Sequence, residues 1–206
     1  MTLSDGMLLY HGSYTMVEEI SLTMCSKGKD FGRGFYLISS IEQAQSFIRT
    51  SLKKAKRLGN APDSQTFGYI TVFRYQESEG DQSIYRFDEA NREWLWFISQ
   101  NRREKLAEVL TGVVDPNINK SDIIIGKIAN DTTNPVITAY LNGLYGDILS
   151  EAATDFAIKQ LMPEHLIDQY CFLTEKAIKC LKFQEAVRYD ICKNEGMCRY
   201  DSGNSN

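Results

Sequence analysis

Histidine is scarce in this 206-residue chain, which has two, and its five cysteines include no Cys-x-x-Cys pair. Zinc sites in proteins are usually built from closely spaced cysteines and histidines, so this composition argues against a zinc protein. No apolar run approaches the roughly 20 residues of a membrane-spanning helix. No basic segment followed by an apolar one opens the chain, as a signal peptide would require. We therefore expect a cytoplasmic protein with reduced thiols, no metal and no membrane partner.

Positive charge is also limited, because 23 Lys and Arg against 27 Asp and Glu leave a formal net charge of −4. This balance argues against a general nucleic-acid binder, although Lys27, Lys29 and Arg33 could form a local basic patch. The length fits one large domain, and no internal repeat or low-complexity linker divides it. We predict a single domain over residues 1–190, followed by a polar, flexible tail over residues 191–206.

Strand-like and helix-like segments are interspersed without a regular βαβ rhythm, which predicts a mixed α+β domain. Apolar, β-branched or aromatic runs predict strands at MLLYHGS, GFYLIS, FGYITVFRY, QSIYRFD, DIIIGKIA, DQYCFLT and EAVRYDI. Helical spacing predicts one helix capped by Ser40 and closed by Gly59, and another that starts near Asp88 and runs to Leu110. Three more helices are predicted in NPVITAYLNGLYG, LSEAATDFAIKQLMP and EKAIKCLKF, the last running into a further strand.

The stretch Gly32-Arg33-Gly34 invites comparison with a nucleotide-binding loop. It fails the dinucleotide fingerprint, because the third glycine is missing and a strand follows instead of a helix. No Gly-Lys-Ser/Thr follows either, so it is not a phosphate-binding loop of the Walker type. By spacing alone, these glycines predict a tight turn. Taken singly, His11 is typical of a satisfied polar residue, and Tyr36 of a core residue.

Together, however, LYHGS and the later FGRGFYL with its Ser-Ser-led helix resemble the first two motifs of the ADP-ribosyltransferase fold. The resemblance is to the branch with a His-Tyr-Glu triad, which includes diphtheria toxin and the poly(ADP-ribose) polymerases. The chain is more similar still to a bacterial family of small ADP-ribosyltransferase-like proteins known only as a domain of unknown function. DQYCFLTEKAI resembles the C-terminal motif of that family, and REWLWFISQNR and SDIIIGKIAND resemble its middle segments. The resemblance covers most of residues 7–183 and implies a split antiparallel β-sheet core with flanking helices.

The resemblance implies an NAD+-dependent ADP-ribosyltransferase that uses NAD+ as substrate and releases nicotinamide. Its catalytic residues would be His11, Tyr36 and Gln169. His11 would hydrogen-bond the adenosine ribose, and Tyr36 would stack on the nicotinamide ring, where an aromatic face favours positive charge. Such an enzyme holds NAD+ in a strained pose and stabilises an oxocarbenium-like transition state.

Further NAD+ contacts are expected around the same motifs. The backbone of Gly12 would pair with the nicotinamide carboxamide, since glycine permits close approach, and Ser13 would hydrogen-bond nearby. Arg33 or Lys27 could meet the pyrophosphate, and Asp30 is a weaker candidate for the adenosine side.

Gln169 stands where most of the His-Tyr-Glu branch has a glutamate. Glutamine can hydrogen-bond the ribose hydroxyl, but it carries no charge and is no general base. Asp168 should face away if Gln169 faces the cleft, because adjacent side chains of a strand alternate, and Glu164 is an alternative carboxylate from the preceding loop. This difference favours single transfer over polymer formation. It also leaves two alternatives open: a non-catalytic module that binds NAD+ or ADP-ribose, and an NAD+ glycohydrolase.

Several other residues are predicted to be structural. Trp94 is predicted to be core, Cys171 to be packing on the same strand face as Gln169, and His165 to be a loop residue. Asn101-Arg102 could bind phosphate, but the pair is more typical of an exposed charged helix face. The acceptor, protein or nucleic acid, is not identified by the sequence. Many compact bacterial enzymes of this kind act as toxins under the control of an antitoxin, which makes an antitoxin a candidate partner by analogy alone.

Overall fold

The structure is a computed structural model that describes residues 2–77, 82–110, 112–129, 133–162 and 165–191. These residues form seven β-strands, six α-helices and two short 3-10 turns, which confirms the mixed α+β class. No helix within these ranges combines the length and the apolarity needed to cross a membrane. Most of the predicted tail, residues 192–206, and the alternative carboxylate Glu164 lie outside the described residues.

The chain divides into two compact units, which we call the first and second units. The first consists of Met1–Gly6, Ile20–Leu37 and Tyr75–Leu181, and the second of Met7–Glu19, Ile38–Arg74 and Lys182–Asn206. The single domain expected over residues 1–190 therefore stays a prediction.

The strands of the first unit follow the order β4-β5-β6-β2. Their bounds are Phe35–Ile38 for β2, Ile84–Arg86 for β4, Ile123–Lys127 for β5 and Asp168–Phe172 for β6, with Ile38 at the end of β2 assigned to the second unit. β5 and β6 are antiparallel and place Gly126 opposite Gln169. β4 pairs with β5 in parallel, so this pair differs from the split antiparallel core that the resemblance implies. The continuous apolar run DIIIGKIA predicts a strand buried on both faces, and the burial of β5 from Ile123 to Gly126 confirms this.

Five helices belong to the first unit: α2 Arg92–Arg102, α3 Glu104–Val109, α4 Asn134–Leu141, α5 Glu151–Leu161 and α6 Glu175–Ile178. The prediction of one helix from Asp88 to Leu110 is wrong at its start and in its middle. Asn91 is the N-cap, because its side-chain oxygen accepts the backbone N–H of Trp94 at 2.9 Å. Arg103 has extended backbone angles and separates α2 from α3. Trp94, Phe97 and Ile98 of α2 are fully buried in the main hydrophobic core.

The second unit holds β1 Leu8–Ser13, α1 Ile41–Arg57, and nearly all of β3 Phe67–Tyr75 and β7 Leu181–Asp190. β1 pairs antiparallel with β3 over all six of its residues. Ser40 caps α1 as predicted, since its side chain accepts the backbone N–H of Gln43. The predicted apolar face of α1 is buried at Ala44, Ile48 and Leu52 but exposed at Ile41. The two strands predicted after α6 are one continuous strand, β7.

Candidate functional site

Gln169 lies near the start of β6, in the interior of the first unit, where it is 4% exposed. Its side-chain Nε2 donates to Asp30 Oδ2 at 2.9 Å and to the backbone oxygen of Lys127 at 3.3 Å. Asp168, the preceding residue, forms an ion pair with Lys127 at 2.9 Å on the other side of the β5–β6 pair. The strand alternation predicted for Asp168 is therefore confirmed, and its carboxylate does not join Gln169.

Asp30 is the centre of a buried polar network. Arg102 Nε and Nη2 donate to its Oδ1 at 2.9 and 2.7 Å, and the backbone N–H of Ala129 donates to its Oδ2 at 3.2 Å. With the bond from Gln169, the Asp30 carboxylate accepts four hydrogen bonds, so its charge is balanced inside the protein. The expected contact of Asp30 with adenosine stays a prediction.

Arg102 is the residue of this network that the sequence did not identify. Its side chain is 17% exposed, so the expectation of an exposed helix face at Asn101-Arg102 is wrong. Asn101 points inward as well, since its Nδ2 donates to the backbone oxygen of Asp30 at 3.1 Å. Both residues lie in the last turn of α2. The sequence signal that could have identified Arg102 is a charged residue at the end of an otherwise apolar helix. Exposed helix ends commonly carry such residues too, so the signal is not specific.

Tyr36 on β2 is anchored through its hydroxyl to the preceding loop. The hydroxyl donates to the backbone oxygen of Gly32 at 2.8 Å and accepts the backbone N–H of Phe31 at 2.9 Å. Its ring stacks against Phe31 with centroids 6.4 Å apart. Burial raises the pKa of Tyr36 well above its ordinary value, and the nearby Cys171 thiol and Asp30 carboxylate act in the same direction. Tyr36 is therefore a neutral, fixed hydrogen-bonding group at physiological pH.

The glycines before Tyr36 each have a separate steric reason. Gly32 has φ +84°, a conformation that favours glycine. Gly34 faces β6 so closely that an added Cβ would lie 2.5 Å from the Sγ of Cys171 and 2.9 Å from the backbone oxygen of Phe172. These contacts fit the expectation of a tight turn that presents Tyr36.

Arg33, between these glycines, is held by backbone carbonyls. Its Nε donates to the oxygens of Leu22 and Cys25 at 3.0 and 3.1 Å, and its Nη2 donates to the oxygen of Thr23. Lys27, the other residue considered for the pyrophosphate, is exposed. Arg33 is thus a guanidinium of fixed position, whereas Lys27 is an ordinary surface lysine.

The first motif lies on β1, in the second unit. Gly12 touches α1 so closely that an added Cβ would lie 1.9 Å from the backbone oxygen of Ala44. β1 has one register pair with β2, Tyr10 with Ile38, so Gly12 lies beyond that ladder. His11 is half-buried, and Ser13 is buried with its hydroxyl 3.5 Å from the backbone nitrogen of Thr15.

The remaining candidates have structural positions. Trp94 is fully buried, as predicted, and its indole N–H donates to the backbone oxygen of Lys127 at 3.1 Å. Cys171 is fully buried beside Tyr36, and burial raises the pKa of its thiol far above the usual range, so it is no activated nucleophile. His165 is exposed. In the part of the chain that the structure describes, no group of three or more His, Cys, Asp or Glu could hold a metal ion.

The structure thus brings Asp30, Tyr36 and Gln169 together in the first unit, and places His11, Gly12 and Ser13 side by side on β1 of the second. Comparison with curated proteins gave no match, and neither did comparison with solved structures. A family model matches residues 7–183, from the start of β1 into β7, and its description is a protein of unknown function (DUF3990). The chain belongs to this family.

Proposed function

We propose that this protein is an NAD+-dependent ADP-ribosyltransferase that transfers one ADP-ribose to a protein or nucleic-acid acceptor. The observation that carries the proposal is the meeting of the second and third motifs. Gln169 and Asp30, 139 positions apart in the chain, are joined by a 2.9 Å hydrogen bond. Tyr36 is anchored in the loop that follows Asp30 and adjoins Cys171, two residues after Gln169. The second and third motifs therefore pack against each other within the first unit.

The hydrogen bonds of Gln169 decide how it can act. Its side-chain Nε2 donates both of its hydrogen bonds, one to Asp30 Oδ2 and one to the backbone oxygen of Lys127. An inverted amide would place Oε1 against two acceptors, so this orientation is the stable one. Across the residues described, Oε1 has no hydrogen-bond donor. Gln169 would therefore accept a hydrogen bond from a ribose hydroxyl and donate none.

Asp30 would strengthen that acceptor. A carboxylate bonded to the amide N–H polarises the amide and makes Oε1 a better acceptor in a low-dielectric interior. This favours positive charge developing on the nearby ribose, though less than a glutamate in the same place would. Asp30 then acts as a positioning residue for Gln169, and Arg102 holds Asp30.

In the proposed reaction, the bond between ribose C1′ and the nicotinamide nitrogen breaks and its electron pair leaves with neutral nicotinamide. An acceptor nucleophile forms the new bond to C1′ and loses a proton. Because Gln169 cannot take that proton, it passes to a group of the acceptor or to water. By resemblance, His11 and Gly12 would bind NAD+, and the role of His11 is tested below by substitution.

A second candidate is a non-catalytic module that binds NAD+ or ADP-ribose. The observation favouring it is that Asp30, the carboxylate bonded to Gln169, already accepts hydrogen bonds from Arg102, Gln169 and the backbone of Ala129. That carboxylate is not placed as a free general base. NAD+ hydrolysis, with water as the acceptor, is the third alternative and predicts free ADP-ribose without any macromolecule.

The first experiment measures NAD+ binding by calorimetry and nicotinamide release in a cell lysate, with label from NAD+ followed into protein, RNA and DNA fractions. We expect binding, release of nicotinamide and label in one macromolecular fraction. Gln169→Ala should lower turnover by about 10- to 100-fold, as for loss of one transition-state hydrogen bond. Gln184→Ala, on β7, is the matched control and should leave turnover unchanged. Absence of both NAD+ binding and nicotinamide release would refute the proposal.

Gln169→Glu separates the two main candidates. If the parent protein does not turn over NAD+ but its Gln169→Glu variant does, the protein is a binding module. If the parent turns over NAD+ and Gln169→Ala lowers that activity, the protein is the enzyme. His11→Ala should weaken NAD+ binding, and His165→Ala is its control because these are the two histidines of the chain. Equal binding by the two histidine variants would remove His11 from the site.

A further inference from the structure

A cavity of about 370 Å³ lies in the first unit, at the end of β6 that is remote from Gln169. Its walls are the turn at Gly32-Arg33, the segment Asn119–Ser121 that leads into β5, and Thr174 after β6. Phe31, Ile124 and Leu173 contribute apolar surface. Arg33 was considered above for the NAD+ pyrophosphate, and Ser121 opens the segment SDIIIGKIAND. Asn119 and Lys120 belong to none of the motifs used above, and the cavity itself has no assigned role.

The charged side chains that line the cavity are positive. Arg33 and Lys120 line the cavity, and among the described residues no carboxylate does. Asp122 is adjacent in sequence, but its carboxylate accepts hydrogen bonds from the backbone of Ser83, from Thr174 and from Lys176. Its charge is therefore taken up by its own network, and the lining is electropositive in a protein of net charge −4.

Arg33 is a preorganised donor. Three backbone carbonyls hold its Nε and Nη2. Its Nη1 donates to no residue that the structure describes. Because the side chain is already fixed, a ligand that binds Nη1 would not have to order it.

Ser121 supplies the buried polar group. It lines the cavity and is 4% exposed, and its hydroxyl has no hydrogen-bond partner within the described ranges. Its backbone nitrogen donates to the oxygen of Ile118 and holds the residue in place. The Ser121 hydroxyl is not sealed from solvent, so it is available to donate a hydrogen bond to a ligand acceptor in the cavity. Lys120 adds an ammonium that is held at 3.2 Å by Asn117 and keeps further donors.

We propose that this cavity binds a phosphate group through Arg33, Lys120 and Ser121, with the Asn119 amide as a further donor. Phosphate offers several strong acceptor oxygens to donors that converge from two loops, and guanidinium and ammonium groups both bind it well. The volume is at the lower end of the range for small-molecule sites, roughly 300–1,000 Å³, so the ligand is inorganic phosphate or the phosphate of a small nucleotide. The inference does not depend on NAD+ turnover.

The test is calorimetry of the intact protein with inorganic pyrophosphate, inorganic phosphate, ADP and adenosine at low ionic strength. We expect pyrophosphate to bind and adenosine not to bind. Lys120→Glu should weaken pyrophosphate binding at least about tenfold, and Ser121→Ala about fivefold. Lys105→Glu, an exposed lysine of α3 with the same change in charge, is the matched control and should change binding less than twofold.

The outcomes separate this site from the proposed NAD+ site. Gln169→Ala should leave pyrophosphate binding unchanged, even if NAD+ turnover is never found. ADP binding much more tightly than inorganic phosphate, with the same loss on Lys120→Glu, identifies a nucleotide phosphate, and equal affinities identify the free ion. The inference would be overturned if pyrophosphate did not bind at millimolar concentration. It would also be overturned if Lys120→Glu and Lys105→Glu lowered the affinity for pyrophosphate equally. Full binding by a folded Ser121→Ala would overturn it too.

Discussion

At the scale of single residues, the distinguishing feature is that Gln169 is held by a charged pair. Asp30 contacts Gln169 on one side and Arg102 on the other, and the side chains of Asp30 and Arg102 are 10% and 17% exposed. A buried carboxylate is tolerated because it is paired and fully hydrogen-bonded. Removing one partner is costly, because the other charge then stays buried and unpaired.

We therefore expect Arg102→Ala to lower the free energy of unfolding by about 3 kcal/mol, measured by urea denaturation. The control is Arg92→Ala, which breaks the more exposed pair with Asp155 and should lower the free energy of unfolding much less than Arg102→Ala does. The double variant Asp30→Asn/Arg102→Ala should recover part of the loss, because the uncompensated charge is gone. Similar losses in the two arginine variants would contradict the network described above.

At the scale of elements, the packing of α1 on β1 depends on Gly12. A Cβ at this position would lie 1.9 Å from the backbone oxygen of Ala44. The obstacle is backbone, so it cannot rotate away as a flexible side chain would. Gly12 therefore has a packing reason for its identity, whatever it binds.

Gly12→Ala should destabilise the protein by about 3 kcal/mol in urea denaturation, through displacement of α1. Gly28→Ala is the control. It meets nothing within 4 Å and carries only the strain of φ +69°, a cost of about 1 kcal/mol. Ala44→Gly should not rescue Gly12→Ala, because the clash is with the backbone oxygen of Ala44 and not with its methyl group. Rescue would show that the clash lies elsewhere.

At the scale of the whole molecule, buried ion pairs link stability to pH. Burial acts to raise the pKa of Asp168, but its hydrogen bonds and the nearby positive charges, that of Lys127 among them, together outweigh burial and leave the pKa below its ordinary value. The pKa of Asp122 is also lowered, because bonds from Thr174, the backbone of Ser83 and Lys176 outweigh its burial. A carboxyl whose folded pKa is depressed contributes stability above its unfolded pKa, about 3.9, and loses that contribution as the pH falls through the folded value.

We expect the urea midpoint to fall as the pH drops from about 4 towards the folded pKa values. Asp168→Asn should be less stable than the parent at neutral pH, and the difference should shrink in acid. Asp88→Asn, whose parent side chain is 85% exposed, should follow the parent at every pH. A constant difference between Asp168→Asn and the parent across this range would show that the ion pair does not govern the pH dependence.

Much of this architecture could be predicted from local pattern. The α+β class, the cap of α1 at Ser40, the buried run of β5 and the burial of Trp94 all depend on neighbours in sequence. The ends of elements were harder to predict. The N-cap of α2 is Asn91 and not Asp88, and a single residue with extended backbone angles, Arg103, ends the helix. Turn and cap choices of this kind differ by about 1 kcal/mol, which sequence pattern does not resolve.

The sequence by itself determined which residues could form a site, because His11, Tyr36 and Gln169 stand out by motif and spacing. Only the tertiary structure decided what surrounds them. Whether Asp30 is exposed or buried, whether Arg102 pairs with it and which atom of Gln169 is left to accept all depend on contacts between distant segments. The same is true of Ser121, an ordinary serine in sequence that the fold buries at the wall of a cavity. Local pattern sets the backbone path, but hydrogen-bond satisfaction is settled by long-range packing.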